Sequence, residues 1–406
     1  MFPEIRASKE RRGRYLMEAI FADTIYTPNR RIHSGYVVYE NGLIKDLTNE
    51  KPDCQIHDFS GFAVIPGLID IHIHGISGKD TMDATPEALQ EISLSLARHG
   101  VTSFLPTTLT DDFEKVKAAV REIGRQIGNT AGAEIIGSYV EGPYITPEHR
   151  GAHPVKYMRE ITIEELDELI KASQNTIKIL TLAPEKTMAI EVIPYLKDKG
   201  ILVSMGHTNA DYETANLAIE YGANISVHTF NGMRGFSHRD PGSLGAFLTN
   251  DKNFCELIAD LEHVHPAGIT LLYKTKGADK ILLISDSMVA ADLPDGEYKL
   301  GSQSVRVREG IARTLETGSL AGSTTNLMMC IKNTKEVLGL PLECILPMAT
   351  INQAKLLGIG EETGTIEIGK KLNVAVIDKA FNVRATFVNG KVVFMEEKRK
   401  WAIIEL

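Results

Sequence analysis

The chain has few cysteines and no long apolar run. Its four cysteines are far apart and form no CxxC pair, which argues against a disulfide framework and against a thiolate metal site. No apolar stretch approaches the roughly 20 residues of a membrane span, and the N-terminal MFPEIRASKERRGRY lacks the apolar core of a signal peptide. We therefore expect a reduced, cytoplasmic protein that does not enter a membrane.

An excess of positive charge is also absent. The formal net charge of -9 argues against a protein that coats nucleic acid or an acidic membrane, so we expect a small-molecule partner and no nucleic acid. With 406 residues, of which 43% are hydrophobic, the chain is long enough for one large domain and a smaller one.

From residue 66 onward, short apolar runs alternate with helical patterns. PGLIDIHIH, TSFLPTT, EIIGSYVEG, IKILTLAPE, LVSMGHT, ISVHTF, CELIADLEH and ILLISDSM are the eight runs, and each leads to a helix or a long loop. Alternation of this kind implies parallel strands. The sequence therefore predicts an α/β fold class, with a (β/α)8 TIM-type barrel over residues 66–363.

The two ends of the chain have a different pattern. Residues 17–65 and 364–406 contain short strand-like segments with turn signals such as VNGKV. They predict a small β-sandwich domain formed by both chain termini. Residues 1–16 precede the first such segment and are expected to be a disordered extension without an assigned function.

The segment PGLIDIHIHG carries two histidines at the end of an apolar strand. Side chains alternate faces along a strand, so His72 and His74 would point to the same side. Such a pair is a candidate metal site. The alternative is two hydrogen-bonded histidines with a structural role.

Polar residues end other predicted strands as well. In a β/α barrel the C-terminal ends of the strands form the mouth, where the chemistry takes place. Any one of these residues could be a hydrogen-bonded structural group, but a whole set on one rim favours a functional site. The set is His72, His74, Glu141, His207, His228 and Asp286.

The ligand chemistry of this set is imidazole and carboxylate without thiolate. It suits a divalent zinc, iron or manganese ion, and there are enough ligands for one or two ions per chain. Such a centre activates water, so hydrolysis is the expected reaction. Asp286, ionised beside a cation, could take a proton from the attacking water and give it to the leaving group.

These residues belong to longer motifs, which include PGLIDIHIHG, EGPYITPEHRGAH, GHTNA, HTFNGM, RDPG and LAGS. From about residue 17 onward, the chain resembles the N-acetylglucosamine-6-phosphate deacetylases of the amidohydrolase superfamily. The resemblance implies that an amino sugar phosphate loses its acetyl group. It also implies that Glu141, His207 and His228 hold the main metal ion, that His72 and His74 hold a second one, and that Asp286 is the catalytic acid and base.

Motif matches also imply substrate contacts and a homodimer, in which phosphate contacts could cross the interface. The residues implied for the sugar, acetyl and phosphate groups are Ala152, His153, Asn231, Gly232, Arg239, His263, Leu320, Ala321 and Gly322. Arg239 would bind the phosphate, because a guanidinium can bind it through two hydrogen bonds. Otherwise Arg239 could pair with Asp240, and His153 and His263 could be ordinary loop histidines. Other histidines, such as His149, match no strand end and are expected to be structural or exposed.

Two departures from the family pattern leave the hexosamine open. The chain has Leu261 and Glu262 before His263, and Gly232 in FNGM. A negative charge at Glu262 would weaken phosphate binding if it faced the ligand. The alternatives are therefore an N-acetylgalactosamine-6-phosphate deacetylase or another amidohydrolase. A non-catalytic sugar-phosphate binding protein is disfavoured, because the metal ligands and Asp286 are all present.

Overall fold

The computed structural model describes residues 17–396 and 403–404. Its centre is a nearly closed barrel of eight parallel strands, which confirms the predicted fold class. The first and eighth strands meet near the C-terminal end of the barrel, where the N–H of Asp286, two residues past the eighth strand, donates to the carbonyl of His72 in the first strand at 2.9 Å. In order around the barrel, the strands are Leu68–Ile73, Val101–Thr108, Ser138–Val140, Ile177–Leu182, Leu202–Met205, Ile225–Ser226, Phe254–Ile258 and Ile281–Ile284.

The barrel strands are apolar because both of their faces are covered. Leu68, Val101 and Phe104 pack in one core cluster with the surrounding helices. Ile71 and Ile284 belong to a second cluster, which takes residues from strands around the whole barrel. This inner packing holds the strand ends in a fixed arrangement.

Helices follow the strands and bury one apolar face. Helix Phe113–Gln126 buries Val116, Val120 and Ile123, which lie at helical spacing, and the Asp112 side chain caps its first turn. The other α-helices are Pro86–Arg98, Ile163–Ala172, Ala189–Asp198, Tyr212–Tyr221, Gly242–Thr249, Pro266–Lys276, Leu327–Leu338, Leu342–Ile345 and Ile351–Leu356. Short 3-10 helices are Thr81–Asp83, Pro147–His149, Val155–Tyr157, Ala278–Lys280 and Leu346–Ala349.

Among the described residues, no single helix has both the length and the apolar composition of a membrane span. Leu327–Leu338 and Leu342–Leu356 have both only as a pair, with a bend of 115° between them.

Both ends of the chain form one separate sheet. In sheet order its strands are Lys391–Met395, Val383–Val388, Val374–Ile377, Gln55–Pro66, Glu18–Tyr26, Arg31–Glu40 and Leu43–Thr48, with Ile403–Ile404 beside Gln55–Pro66. N- and C-terminal strands share one apolar core, in which the rings of Phe59 and Phe387 lie 6.1 Å apart edge to face. Residues 1–16, expected to be an extension, lie outside the described residues, and the domain boundaries remain a prediction.

A three-stranded antiparallel sheet was not predicted. Its strands, Gly296–Leu300, Gln303–Arg308 and Ile311–Thr314, lie between the eighth barrel strand and helix Leu327–Leu338. Leu300 and Val305 pack in one cluster with Leu109 and Met288, which follow the second and eighth barrel strands. The insertion therefore lies at the mouth of the barrel. Smaller strands are Gly75–Ile76, Lys79–Asp80 and Glu134–Ile135.

Candidate metal centre

The structure brings all six residues of the predicted metal site together at the C-terminal rim of the barrel. His72 lies in the first barrel strand, and the others follow the ends of their strands by one or two residues. All six side chains are buried, with exposures of 0 to 6% for the whole residues. The six are His72, His74, Glu141, His207, His228 and Asp286.

Glu141 lies at the centre of the group, and its two carboxylate oxygens face different histidines. Oε1 lies 3.2 Å from His207 Nε2 and 3.1 Å from His228 Nε2. Oε2 lies 3.2 Å from His74 Nε2 and 3.7 Å from His72 Nε2. The carboxylate thus separates the four imidazoles into two pairs, which define two adjacent positions for a cation.

Asp286 lies beside the second of these pairs. Its Oδ1 is 3.2 Å from His74 Nε2 and 3.5 Å from His72 Nε2. Asp286 Oδ1 and His72 Nε2 are buried and have no hydrogen-bond partner among the described residues. Because buried polar atoms are normally satisfied, two such atoms facing one another fit a cation between them.

The opposite nitrogen of each imidazole is held by a neighbouring group. For His74, His207 and His228 the acceptor is a backbone carbonyl, which can only receive a hydrogen bond, so Nδ1 carries a proton and Nε2 is the nitrogen that faces the centre. The Nδ1 partners are Glu256 Oε2 at 3.0 Å from His72, the Thr107 carbonyl at 3.2 Å from His74, the His149 carbonyl at 2.8 Å from His207 and the Asn231 carbonyl at 3.1 Å from His228.

The local backbone is strained at three of these residues. His207, His228 and Asp286 have positive φ angles of 47°, 26° and 47°. Non-glycine residues rarely adopt this conformation, and such strain concentrates at functional sites.

The charges of the cluster favour ionised carboxylates. Burial raises the pKa of Asp286, but the neighbouring His72 and His74 outweigh it and lower the pKa to about 2. Burial lowers the pKa of His74, whereas the facing carboxylates of Asp286 and Glu141 outweigh it and raise the pKa to about 9. A divalent cation held by the same nitrogen and oxygen atoms would take the place of the protons on the histidines.

His153 lies next to this cluster and is neutral at pH 7. Burial and the charge of His207 lower its pKa to about 4. Its Nδ1 accepts from the Thr110 N–H at 3.4 Å and lies 2.8 Å from the Thr110 hydroxyl. The ring proton is therefore on Nε2, which lies 3.5 Å from Glu141 Oε2.

A cavity of about 330 Å³ opens above the cluster. Most residues predicted to contact a substrate line it, namely Ala152, His153, Asn231, Gly232, His263, Leu320 and Gly322. Ala321 is buried behind this wall. Arg239 is exposed in its loop and does not line the cavity. Asp240, its suggested partner, instead accepts from Arg234 at 2.5 Å.

His263 is oriented by the acidic residue that begins its loop. Its Nδ1 lies 2.7 Å from Asp260 Oδ2, while Asp260 Oδ1 accepts from the backbone N–H groups of Glu262 and His263. Glu262 itself is exposed and does not line the cavity. This departure from the family pattern therefore places no negative charge in the cavity wall.

Seven residues at the site were not predicted, and they include Gly151, Ile258 and Ser319 in the cavity wall. His149 lines the cavity although it was expected to be structural or exposed, and Leu109 and Leu300 complete the apolar part of the wall. Glu256 contacts His72. A signal existed only for Glu256, which is an acidic residue inside the apolar run FCELI.

Two groups of side chains have ligand atoms close enough to hold an ion. They are His72, His74 and Glu141, and Glu141, His153 and His207, with all ligand atoms of a group within 4.8 Å of one another. The donors are imidazole nitrogens and carboxylate oxygens, which suit a borderline divalent metal ion. The residues present therefore fit a divalent metal centre.

Known proteins share both the sequence and the fold. Residues 63–393 match the amidohydrolase family. The chain is 41% identical over 362 residues to the N-acetylglucosamine-6-phosphate deacetylase of Vibrio furnissii, which covers 88% of this chain and 90% of that protein. It is 40% identical over 329 residues to the N-acetylgalactosamine-6-phosphate deacetylase of Escherichia coli O157:H7, which covers 80% and 86%.

Among solved structures, the N-acetyl-D-glucosamine-6-phosphate deacetylase of Mycobacterium smegmatis superposes with a TM-score of 0.88 at 28% identity. The match covers 93% of this chain and 100% of that one. The enzyme from Pasteurella multocida gives a TM-score of 0.87 at 31% identity, with 93% and 99% covered. The chain therefore belongs to the amidohydrolase family, in the group that includes the N-acetylglucosamine-6-phosphate deacetylases.

Proposed function

We propose that the chain hydrolyses the acetamide of N-acetylglucosamine 6-phosphate, giving glucosamine 6-phosphate and acetate, at a divalent metal centre. The observation that carries the proposal is the division of four histidines between the two oxygens of Glu141, with Asp286 beside one pair. The substrates named for similar proteins supply the amino sugar phosphate.

Glu141, His207 and His228 would hold one ion, and His72 and His74 would hold a second with the other oxygen of Glu141. Zinc, iron and manganese all suit these ligands. When bound, such an ion polarises a carbonyl oxygen and makes water more acidic. The chain supplies ligands whose orientation is fixed before the ion binds, because their Nδ1 atoms are already held.

Asp286 moves the proton. Its carboxylate is ionised at neutral pH, so it accepts a proton from the attacking water as the new C–O bond forms at the acetyl carbon. It then donates that proton to the amide nitrogen as the C–N bond breaks. The products are the sugar amine and acetic acid, which at neutral pH exchange a proton to give the ammonium form of the sugar and acetate.

The cavity wall orients the substrate. The neutral His153 presents an Nε2–H that can donate to the acetyl oxygen as negative charge develops there. Leu320, Asn231 and His263 line the cavity, where Leu320 would contact the acetyl methyl group and Asn231 and His263 would face the sugar. Arg239, on the exposed loop, would bind the phosphate.

An N-acetylgalactosamine-6-phosphate deacetylase is the second candidate. It is supported by the sequence identity of 40% to an N-acetylgalactosamine-6-phosphate deacetylase, which is nearly equal to the 41% identity to an N-acetylglucosamine-6-phosphate deacetylase. The two sugars differ at one hydroxyl group, so a comparison of kcat/KM on both phosphates distinguishes the candidates.

We also propose a cytoplasmic homodimer. All four cysteines are free, and Cys255 and Cys330 are buried, which suits a reducing compartment. An exposed Arg239 is compatible with a phosphate contact made across a dimer interface. Light scattering of the purified protein gives the oligomeric state directly.

The experiment that tests the function is acetate release from N-acetylglucosamine 6-phosphate by the purified protein. We expect turnover that a chelator abolishes and that zinc, iron or manganese restores. Protein with the chelator removed and no metal added is the control. Absence of turnover by metal-loaded protein on either sugar phosphate would refute the deacetylase.

A further inference from the structure

Glu256 is a fully buried carboxylate beside the metal centre, and the proposed function gives it no role. It lies in the seventh barrel strand, Phe254–Ile258, with an exposed fraction of 0%. A carboxylate in a barrel core is costly unless its contacts compensate for the lost water. Its contacts therefore indicate why an acid is present in this strand.

One oxygen of Glu256 joins two of the site histidines. Oε2 lies 3.0 Å from His72 Nδ1 and accepts from the backbone N–H of His228 at 3.1 Å. The other oxygen, Oε1, is buried and has no hydrogen-bond partner among the described residues. Both hydrogen bonds of the Glu256 carboxylate are thus made with histidines of the metal centre.

The contact to His72 determines what the opposite side of that ring can do. Alone among the four site histidines, His72 has a side-chain carboxylate and not a backbone carbonyl at Nδ1. A carboxylate that accepts from Nδ1–H leaves the lone pair on Nε2, the atom that faces Glu141 and Asp286. Such a partner also makes the imidazole a stronger ligand.

We propose that Glu256 is a positioning residue that holds His72 in the orientation and tautomer needed for an ion bound by His72, His74 and Glu141. This inference rests on the two-ion centre of the proposed function. Through the His228 N–H, the same carboxylate fixes the strained turn that carries a ligand of the other position.

The test is the metal content and zinc affinity of Glu256→Leu and Glu256→Gln beside the wild-type chain. Metal-free protein is titrated with Zn²⁺, and the bound metal is counted by elemental analysis after dialysis. We expect Glu256→Leu to weaken one of two zinc sites by roughly 10- to 100-fold. Glu256→Gln should have a smaller effect, because its amide oxygen can still accept from His72 Nδ1–H.

Glu122→Gln is the matched control. Glu122 is also a buried glutamate, with an exposed fraction of 8%, but it lies on helix Phe113–Gln126 and accepts from Gln126. We expect this variant to bind both zinc ions with wild-type affinity. If it loses zinc as Glu256→Leu does, the effect is not specific to the contact with His72 and the inference is wrong.

Two further readouts separate this role from a merely structural one. A structural role would lower the thermal midpoint of the metal-free protein and weaken both zinc sites equally. The proposed role weakens mainly the site that contains His72, so an equal loss at both sites would overturn the inference. If Glu256→Leu does not fold, Glu256→Gln still decides. A neutral amide oxygen accepts more weakly than a carboxylate, so this variant should still lower the affinity of one zinc site measurably, and two zinc sites of wild-type affinity would overturn the inference.

The outcome also separates this inference from the proposed reaction. A wild-type chain that binds two zinc ions, of which Glu256→Leu loses one, supports the role of Glu256 even if no acetate is released. A wild-type chain that binds one ion and releases acetate supports the deacetylase but overturns the role of Glu256.

Discussion

The Nε2 atom of His74 lies 3.2 Å from Oδ1 of Asp286. The carboxylate proposed to carry the proton is therefore in contact with the histidine pair that would create a second ion position. Because the two side chains are in contact, a substitution of His74 should affect proton transfer by Asp286, and a substitution of Asp286 should affect ion binding at His74.

We expect Asp286→Asn to reduce the rate of acetate release by roughly 10²- to 10⁴-fold, because an amide cannot accept the proton of the attacking water. The measurement is kcat with the metal content of each preparation determined alongside. The control is Asp279→Asn, which changes an exposed aspartate outside the barrel mouth. An unchanged rate in Asp286→Asn would contradict the assignment of this residue.

Replacing His72 with glutamine and His74 with asparagine should lower the metal content from about two ions towards about one per chain. Catalysis need not be lost, because Glu141, His207 and His228 keep their mutual distances of 3.1 to 3.2 Å. Elemental analysis of the double variant provides the count. A content that stays at two, or that falls to zero, is incompatible with two adjacent positions that share Glu141.

The rim of the barrel could be predicted because its geometry follows from the alternation of strands and helices. Parallel strands place their C-terminal ends at one edge, so residues as distant in sequence as His72 and Asp286 were expected to meet. No knowledge of individual contacts was needed. The hydrogen bond from the Asp286 N–H to the His72 carbonyl is one result of that closure.

Other parts of the site depend on packing between distant segments, which the local pattern does not encode. Leu300 reaches the cavity from the three-stranded sheet between the eighth barrel strand and its helix, a segment for which no structure was predicted. Glu256 is recognisable as a partner only once His72 is seen beside it. Arg239 belongs to a specific motif, yet it is exposed and outside the cavity wall, so its role remains a prediction.

Arg239→Gln should raise KM for the sugar phosphate with little change in kcat, because a phosphate distant from the reacting carbon contributes mainly to binding. Activity on N-acetylglucosamine without the phosphate should be the same in variant and wild type. Arg308→Gln serves as the control, since Arg308 is another exposed arginine. An equal loss of activity on both sugars would exclude phosphate binding as the role of Arg239.

The low pKa of His153 predicts how stability depends on pH. The folded-state pKa is about 4 and the ordinary value is 6.5, so only the unfolded chain takes up this proton as the pH falls between these values. The wild type should therefore lose about 2 kcal/mol from this group between pH 7 and pH 5. A nearby metal ion would lower the pKa further, so the direction holds with or without metal.

We expect His153→Gln to have a flatter dependence of unfolding free energy on pH, measured by urea unfolding, whereas His33→Gln, at an exposed site, should follow the wild type. Parallel curves for wild type and His153→Gln would contradict this prediction, because they would show that the folded protein takes up the His153 proton as readily as the unfolded chain does.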